Sequence, residues 1–195
     1  AEKNQLGPAA FFSGIPGSVG GALTMNAGSF GHETWDFVES LEVIDEAGVI
    51  HHLDPKDFTF SYRTVKFPFS LCFISCLMQF PGPEITTKSE LKSMRDQRLK
   101  TQPLTEDTCG SVFKNPERKH AGDLIERAGL KGYKFGGCSI STKHANFIVN
   151  EGDATSADIE DLIKYVQSVV KNKFDVDLET EVRIIGEKNR TNGRE

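Results

Sequence analysis

Four residues, Thr101-Gln-Pro-Leu104, constrain the fold of this chain more than any others. A helix-like segment stops there, because proline lacks the N–H a helix needs and disfavours a helical residue before it. A new mixture of helix and strand patterns then begins. The 195 residues suffice for one large domain or two small ones, and the boundary is placed near residue 100. The expectation is an α+β fold in two lobes, 1–100 and 101–180, followed by a returning strand and tail over 181–195.

The first stretch is glycine-rich and then strand-like. Leu41–Asp45 and Val49–Leu53 flank Glu46-Ala-Gly48 and read as a hairpin. Pro55–Phe58 reads as a short helix before Phe60-Ser-Tyr-Arg63, and Phe69–Phe80 as an apolar strand ended by Pro81-Gly-Pro83. Thr87–Lys100 has the composition of an exposed helix with Leu91, Met94 and Leu99 on its apolar face. Beyond the break, Ala121–Ala128 reads as a helix capped by Gly129, Phe147–Asn150 as a strand, and Val182–Ile185 as a closing strand. Thr155–Phe174 has the clearest helical period: Thr155 caps it, and Ile159, Leu162, Ile163, Val166, Val169 and Val170 recur on one face.

Composition excludes several classes. With 37% hydrophobic and 26% charged residues the chain has the make-up of a globular protein, not a disordered one. Its apolar runs fall short of the roughly 18 residues of a membrane span. A net charge of −5 gives no support for nucleic-acid binding. No signal-peptide pattern opens the chain, which favours the cytoplasm. Cys72, Cys76, Cys109 and Cys138 match no zinc spacing, so no metal site is expected, and free buried thiols are the reading.

Five segments carry chemistry. Gly14-Ile-Pro-Gly-Ser-Val-Gly-Gly-Ala-Leu-Thr-Met-Asn-Ala-Gly28 has glycines at 14, 17, 20, 21 and 28, which would let backbone N–H groups approach a pyrophosphate. It matches neither the dinucleotide fingerprint nor the P-loop, and a tight structural turn is the alternative. Asn26 and Ser29 add polar groups there. Arg63, after Tyr62 at a strand end, has the fork to hold a carboxylate or to make a surface ion pair. In Gly110-Ser-Val-Phe-Lys-Asn-Pro116, Ser111 is either a proton donor or a turn serine, and Lys114 and Asn115 either bind oxyanions or close the turn. The segment lacks the nucleophile elbow of a serine hydrolase. His144 and Asn146 alternate along a strand and would share one face, which either lines a substrate cleft or holds a core-edge histidine satisfied by backbone. Glu181, ahead of Val-Arg-Ile-Ile-Gly186, is an acid or electrostatic partner or a solvated strand end.

In this order the five segments resemble UDP-N-acetylenolpyruvoylglucosamine reductase, a flavin enzyme family of peptidoglycan precursor synthesis, over about Gly14 to Gly186. The resemblance implies a mixed flavin-binding lobe of the vanillyl-alcohol-oxidase (PCMH) type, incomplete here, and a smaller α+β substrate-binding lobe. It implies that Gly14, Ile15, Pro16, Gly17, Ser18, Gly20, Gly21, Asn26, Gly28 and Arg183 bind FAD. Arg63, Ser111 and Glu181 would be catalytic, and Lys114, Asn115, His144 and Asn146 would contact substrate. NADPH would be the hydride donor, UDP-N-acetylglucosamine enolpyruvate the substrate, and the enzyme a cytoplasmic monomer. Tyr62-Arg63-Thr-Val-Lys-Phe-Pro-Phe looks like the family's shorter-loop branch.

One departure stands out: the family's N-terminal lobe, with a second glycine-rich loop, has no counterpart before Gly14. The expectation is a fragment or a truncated form. Two other readings stay open, a non-catalytic UDP-sugar-binding module and another FAD oxidase of the same broad class.

Overall fold

The computed structural model describes residues 2–82 and 85–186. They fall into two compact units, 1–100 and 101–195. The expected tail at 187–195, and Pro83 of the strand stop, lie outside the described residues.

The first unit contains α1 (Val19–Met25), β1 (Gly28–Ser29), β2 (His32–Glu33), β3 (Val38–Asp45), β4 (Ile50–Leu53), β5 (Thr59–Ser61), β6 (Thr64–Lys66), β7 (Leu71–Met78) and α2 (Lys88–Thr101), which runs to the boundary. An antiparallel sheet of order β4-β3-β7 is its centre, beside the two-stranded ribbons β1-β2 and β5-β6. The β3–β4 hairpin forms around Glu46-Ala-Gly48. The Asp45 Oδ1 accepts the Ala47 and Val49 N–H groups, and Gly48 supplies the left-handed φ of 82°.

Strand β7 carries a bulge. Phe73 pairs with Val43 and Ser75 with Glu42, which leaves Ile74 over. The extra residue flips the side-chain parity, so Leu71 and Phe73 before it and Cys76 and Met78 after it all pack on one core. That core holds Leu23, Trp35, Val38, Leu41, Val43 and Phe58. Trp35 ties it to α1, donating from Nε1 to the Leu23 carbonyl at 2.8 Å.

The second unit contains β8 (Thr108–Ser111), α3 (Ala121–Arg127), β9 (Lys134–Phe135), β10 (Cys138–Ile140), β11 (Phe147–Asn150) and α4 (Ser156–Phe174). Its sheet, order β8-β11-β10-β9, is antiparallel throughout. Leu162, Ile163, Val166 and Val170 of α4 share one core with Leu124 and Ile125 of α3 and with Ile140 and Ile148 of the sheet. Thr155 caps α4 with a reciprocal capping box: its hydroxyl accepts the Asp158 N–H, while the Asp158 carboxylate accepts the Thr155 N–H. Past α3, Gly129 adopts φ 82° and donates to the Glu126 carbonyl, as a left-handed cap should.

Four expectations are corrected. Val182–Ile185 forms no strand: only Thr180 makes a bridge, to Phe113. Glu181 and Val182 both donate to the Val112 carbonyl, so the ladder register is lost after Thr180 and the chain departs from an edge in which Gly110 sits at φ 84°. Ile184 and Ile185 are consequently exposed. Arg63 lies in the turn of the β5–β6 hairpin at φ 52°, not in a strand. His144 and Asn146 precede β11 and sit in a turn. Of the four free thiols only Cys138 is buried, while Cys72 and Cys109 are exposed.

Candidate functional site

The candidate residues divide between the two units. In the second, Ser111 ends β8 opposite Phe147, and the next pairing is Thr108 with Val149. Cys109 and Gly110 on β8 therefore lie opposite the single residue Ile148 on β11, a bulge that contains Gly110 at φ 84°. Such bulges re-aim side chains, and this one sets Ser111 at the end of the strand, half-buried. No hydrogen bond engages its hydroxyl among the described residues.

Glu181 arrives from the far end of the unit. Its N–H donates to the carbonyl of Val112, the residue after Ser111, at 2.8 Å. The 179–181 segment is doubly held, since the Lys114 N–H donates to the Glu179 carbonyl at 2.9 Å. Lys114 Nζ pairs with the Glu179 carboxylate at 2.6 Å. Long-range backbone bonding thus brings Ser111, Lys114 and Glu181 together although 70 residues separate the outer two in sequence.

Three other predicted contacts already have partners within the protein. Asn146 is 4% exposed and grips Phe113 through both ends of its amide. Asn115 is exposed but uses Oδ1 to accept the Ala121 N–H at the start of α3. His144 is half-buried, its Nδ1 facing the Asn146 N–H at 3.2 Å and its ring edge-on to Phe147 at 5.0 Å. Accepting at Nδ1 assigns its proton to Nε2. Burial, helped by the charge of Lys131, lowers its pKa against the opposing pull of Asp123 and Glu126. Arg183 is exposed on the non-regular segment after Glu181.

In the first unit the glycine-dense stretch is a turn followed by a short helix. Gly14 and Gly17 take φ 77° and 117°, and Pro16, Gly17 and Ser18 are exposed. Ser18 caps α1 by accepting the Gly21 N–H at 3.2 Å. Ile15 is half-buried, and Gly20 and Gly21 lie inside the helix. Gly28 must be glycine: a Cβ there would sit 2.4 Å from the His32 carbonyl oxygen. Asn26, expected to reach a cofactor, is instead wholly buried. Its amide donates to Glu33 and to the Ser61 carbonyl and accepts the Trp35 N–H.

Arg63 closes this arrangement. It donates to the Asn26 carbonyl at 3.2 Å and the Gly28 carbonyl at 2.7 Å, with its guanidinium 4.9 Å from the Tyr62 ring centroid. A left-handed residue in the hairpin turn therefore holds the end of the glycine stretch.

One residue escaped the sequence reading. Arg98, not Leu99, continues the α2 face of Leu91 and Met94: Leu99 is 38% exposed, while Arg98 is half-buried. Positions 91, 94 and 98 share a helical face, a spacing that would have flagged it. Arg98 lies against Gly14.

Residues 102–185 match the family model described as UDP-N-acetylenolpyruvoylglucosamine reductase, C-terminal domain, and residues 1–54 match that of an FAD binding domain. The chain is 47% identical over 186 residues to the UDP-N-acetylenolpyruvoylglucosamine reductase of Alkalilimnicola ehrlichii, covering 95% of this chain and 62% of that protein. It is 44% identical to the one from Nitrosomonas eutropha, covering 96% and 59%. The crystal structure of UDP-N-acetylenolpyruvylglucosamine reductase from Thermus caldophilus superposes with a TM-score of 0.77 at 33% identity, over 93% of this chain and 65% of that one. The chain thus spans about three fifths of the length of these curated relatives.

Proposed function

The chain belongs to the UDP-N-acetylenolpyruvoylglucosamine reductase family, and from that premise we propose that it works in an FAD-dependent enzyme of peptidoglycan precursor synthesis. The reaction is the NADPH-dependent reduction of UDP-N-acetylglucosamine enolpyruvate to UDP-N-acetylmuramate. The observation that carries this reading is the bulge at Gly110, which sets Ser111 beside the segment that delivers Glu181.

The turn over 14–18 suits an anionic cofactor. Gly14 and Gly17 are left-handed, and the first-turn N–H groups of α1 at Val19 and Gly20 have no intrahelical acceptor. Gly14, Ile15, Pro16, Gly17, Ser18, Gly20 and Gly21 would line the FAD diphosphate. Gly28 and Asn26 hold the shape of the stretch, and Arg183 is assigned to the cofactor as well. FAD, when bound, supplies the hydride that it takes from NADPH to C3 of the enolpyruvyl group.

The residues of this chain handle the proton and the charge. Adding hydride at C3 leaves negative charge shared between C2 and the carboxylate. Ser111 donates its hydroxyl proton to C2; a serine is a weak acid, but the carbon it meets is a strong base. Arg63, its guanidinium plane fixed by the Asn26 and Gly28 carbonyls, stabilises the carboxylate. Glu181 acts as the acid–base or electrostatic partner at the reacting centre. Lys114 is the cation for the nucleotide-sugar oxyanions, with His144 and Asn115 as secondary contacts. NADPH and nucleotide sugars are cytosolic solutes, so the reading carries with it a cytoplasmic enzyme, and we assign it as a monomer.

The test is substrate-dependent NADPH oxidation in the presence of FAD, with Ser111→Ala as control. Loss of the proton donor should slow turnover about 10²–10⁴-fold while FAD and nucleotide-sugar binding persist. Equal turnover by the variant would remove Ser111 from the mechanism.

A further inference from the structure

The burial of Arg98 is unexplained by the fold alone. Its Nε is shielded from solvent and has no hydrogen-bond partner, and the side chain makes no ion pair among the described residues. It is the single buried side-chain polar atom in that condition among the described residues. A guanidinium carries five donors and cannot shed its charge under ordinary conditions. Burying the Nε donor without an acceptor is costly, and α2 has exposed positions on either side where an arginine would be fully hydrated.

Its position gives the burial a purpose. A Cβ placed on Gly14 would lie 3.5 Å from Arg98 Cδ, 3.6 Å from Nε and 3.9 Å from Cζ. The guanidinium end therefore rests directly on the left-handed glycine that opens the exposed Gly14–Ser18 turn. Burial also lowers its pKa, as expected of a cation without a counter-charge. An arginine fork beside a turn with left-handed glycines at 14 and 17 is complementary to a diphosphate, which offers several acceptor oxygens and two or more negative charges.

We propose that Arg98 is the cationic partner of a diphosphate bound along the Gly14–Ser18 turn. Two diphosphates are available, that of FAD and that of the UDP-sugar. The turn falls within the residues that match an FAD binding domain, so FAD is the assigned ligand. This rests on the flavin reading above.

Calorimetric titration of the chain with FAD, inorganic pyrophosphate and UDP-N-acetylglucosamine tests it, on wild type, Arg98→Met, Arg98→Lys and the exposed control Arg95→Met. The expected result is FAD affinity lowered about ten- to a hundredfold in Arg98→Met, partly restored in Arg98→Lys and unchanged in Arg95→Met. The melting temperature of ligand-free Arg98→Met should hold or rise, because a buried donor without an acceptor is removed. Equal FAD affinities in wild type and Arg98→Met overturn the proposal and leave the flavin reading intact. A fall in the ligand-free melting temperature matching the loss of affinity also overturns it, by making Arg98 structural. Weakening confined to UDP-N-acetylglucosamine overturns the choice of FAD. Arg98-dependent pyrophosphate binding without FAD binding sinks the flavin reading while the anion site stands. Wild type that binds neither overturns both.

Discussion

Asn146 holds Phe113 by both of its backbone polar groups: Oδ1 accepts the Phe113 N–H at 3.0 Å and Nδ2 donates to its carbonyl at 2.8 Å. The Asn146 carbonyl also accepts the N–H of Val112. One buried amide thus ties the turn before β11 to the segment that carries Ser111. Asn146→Leu would strand two buried backbone groups at about 1–3 kcal/mol each. We expect a loss of about 2–5 kcal/mol in denaturant unfolding. A weakened KM at unchanged stability would instead make Asn146 a substrate contact.

Gly110 separates geometry from packing. A Cβ at this residue would meet nothing within 4 Å, so only its φ of 84° resists substitution. Gly110→Ala should cost about 1–2 kcal/mol of conformational strain, and relaxing that strain would turn Ser111 away from its present aim. Turnover should therefore fall far more than stability. A variant with wild-type kcat would show that the bulge does not position the serine.

Arg63 bridges two carbonyls with one planar group, which a lysine cannot reproduce. Arg63→Lys should lose about 1–2 kcal/mol of unfolding free energy and weaken FAD binding, since the end of the glycine stretch is released. Titration and chemical denaturation of the same sample read both effects. Unchanged values for both would mean that the bridge contributes nothing.

His144 makes a pH prediction. Burial lowers its pKa below the ordinary 6.5, so below that value the unfolded chain takes up the proton more readily than the folded one. Stability should be constant with respect to this group above pH 6.5, then decline as pH falls from 6.5 to the lowered folded value, and level off there. His144→Gln should flatten that part of the profile, as measured by thermal melts between pH 5 and 8. The opposite slope in wild type would mean that the imidazolium is favoured in the fold.

Much of the local architecture was legible in the sequence because its causes are local. The β3–β4 hairpin follows from Gly48 and Asp45, the start of α4 from the Thr155–Asp158 box, and the end of α3 from Gly129. In each case the partners lie within four residues of one another. The Val182–Ile185 strand failed for the complementary reason. Its apolar residues are real, but pairing depends on the edge formed by residues 108–113, where Gly110 sits at φ 84° and only Thr180 makes a bridge. Leu99 was assigned to the α2 face in place of Arg98 because hydrophobicity was read ahead of helical phase.

The sequence by itself pointed to the family, through five segments whose residues and order resemble it, and it determined the helices and hairpins whose caps and turns are written into neighbouring residues. Tertiary structure decided which side chains are available. Asn26 and Asn146 are polar enough to bind a ligand, yet both are buried, with amides engaged on backbone groups brought up from elsewhere in the chain. Arg98 is charged enough to sit in water, yet it lies over Gly14. A polar group's role depends on which partners reach it, and those partners arrive only when distant segments pack.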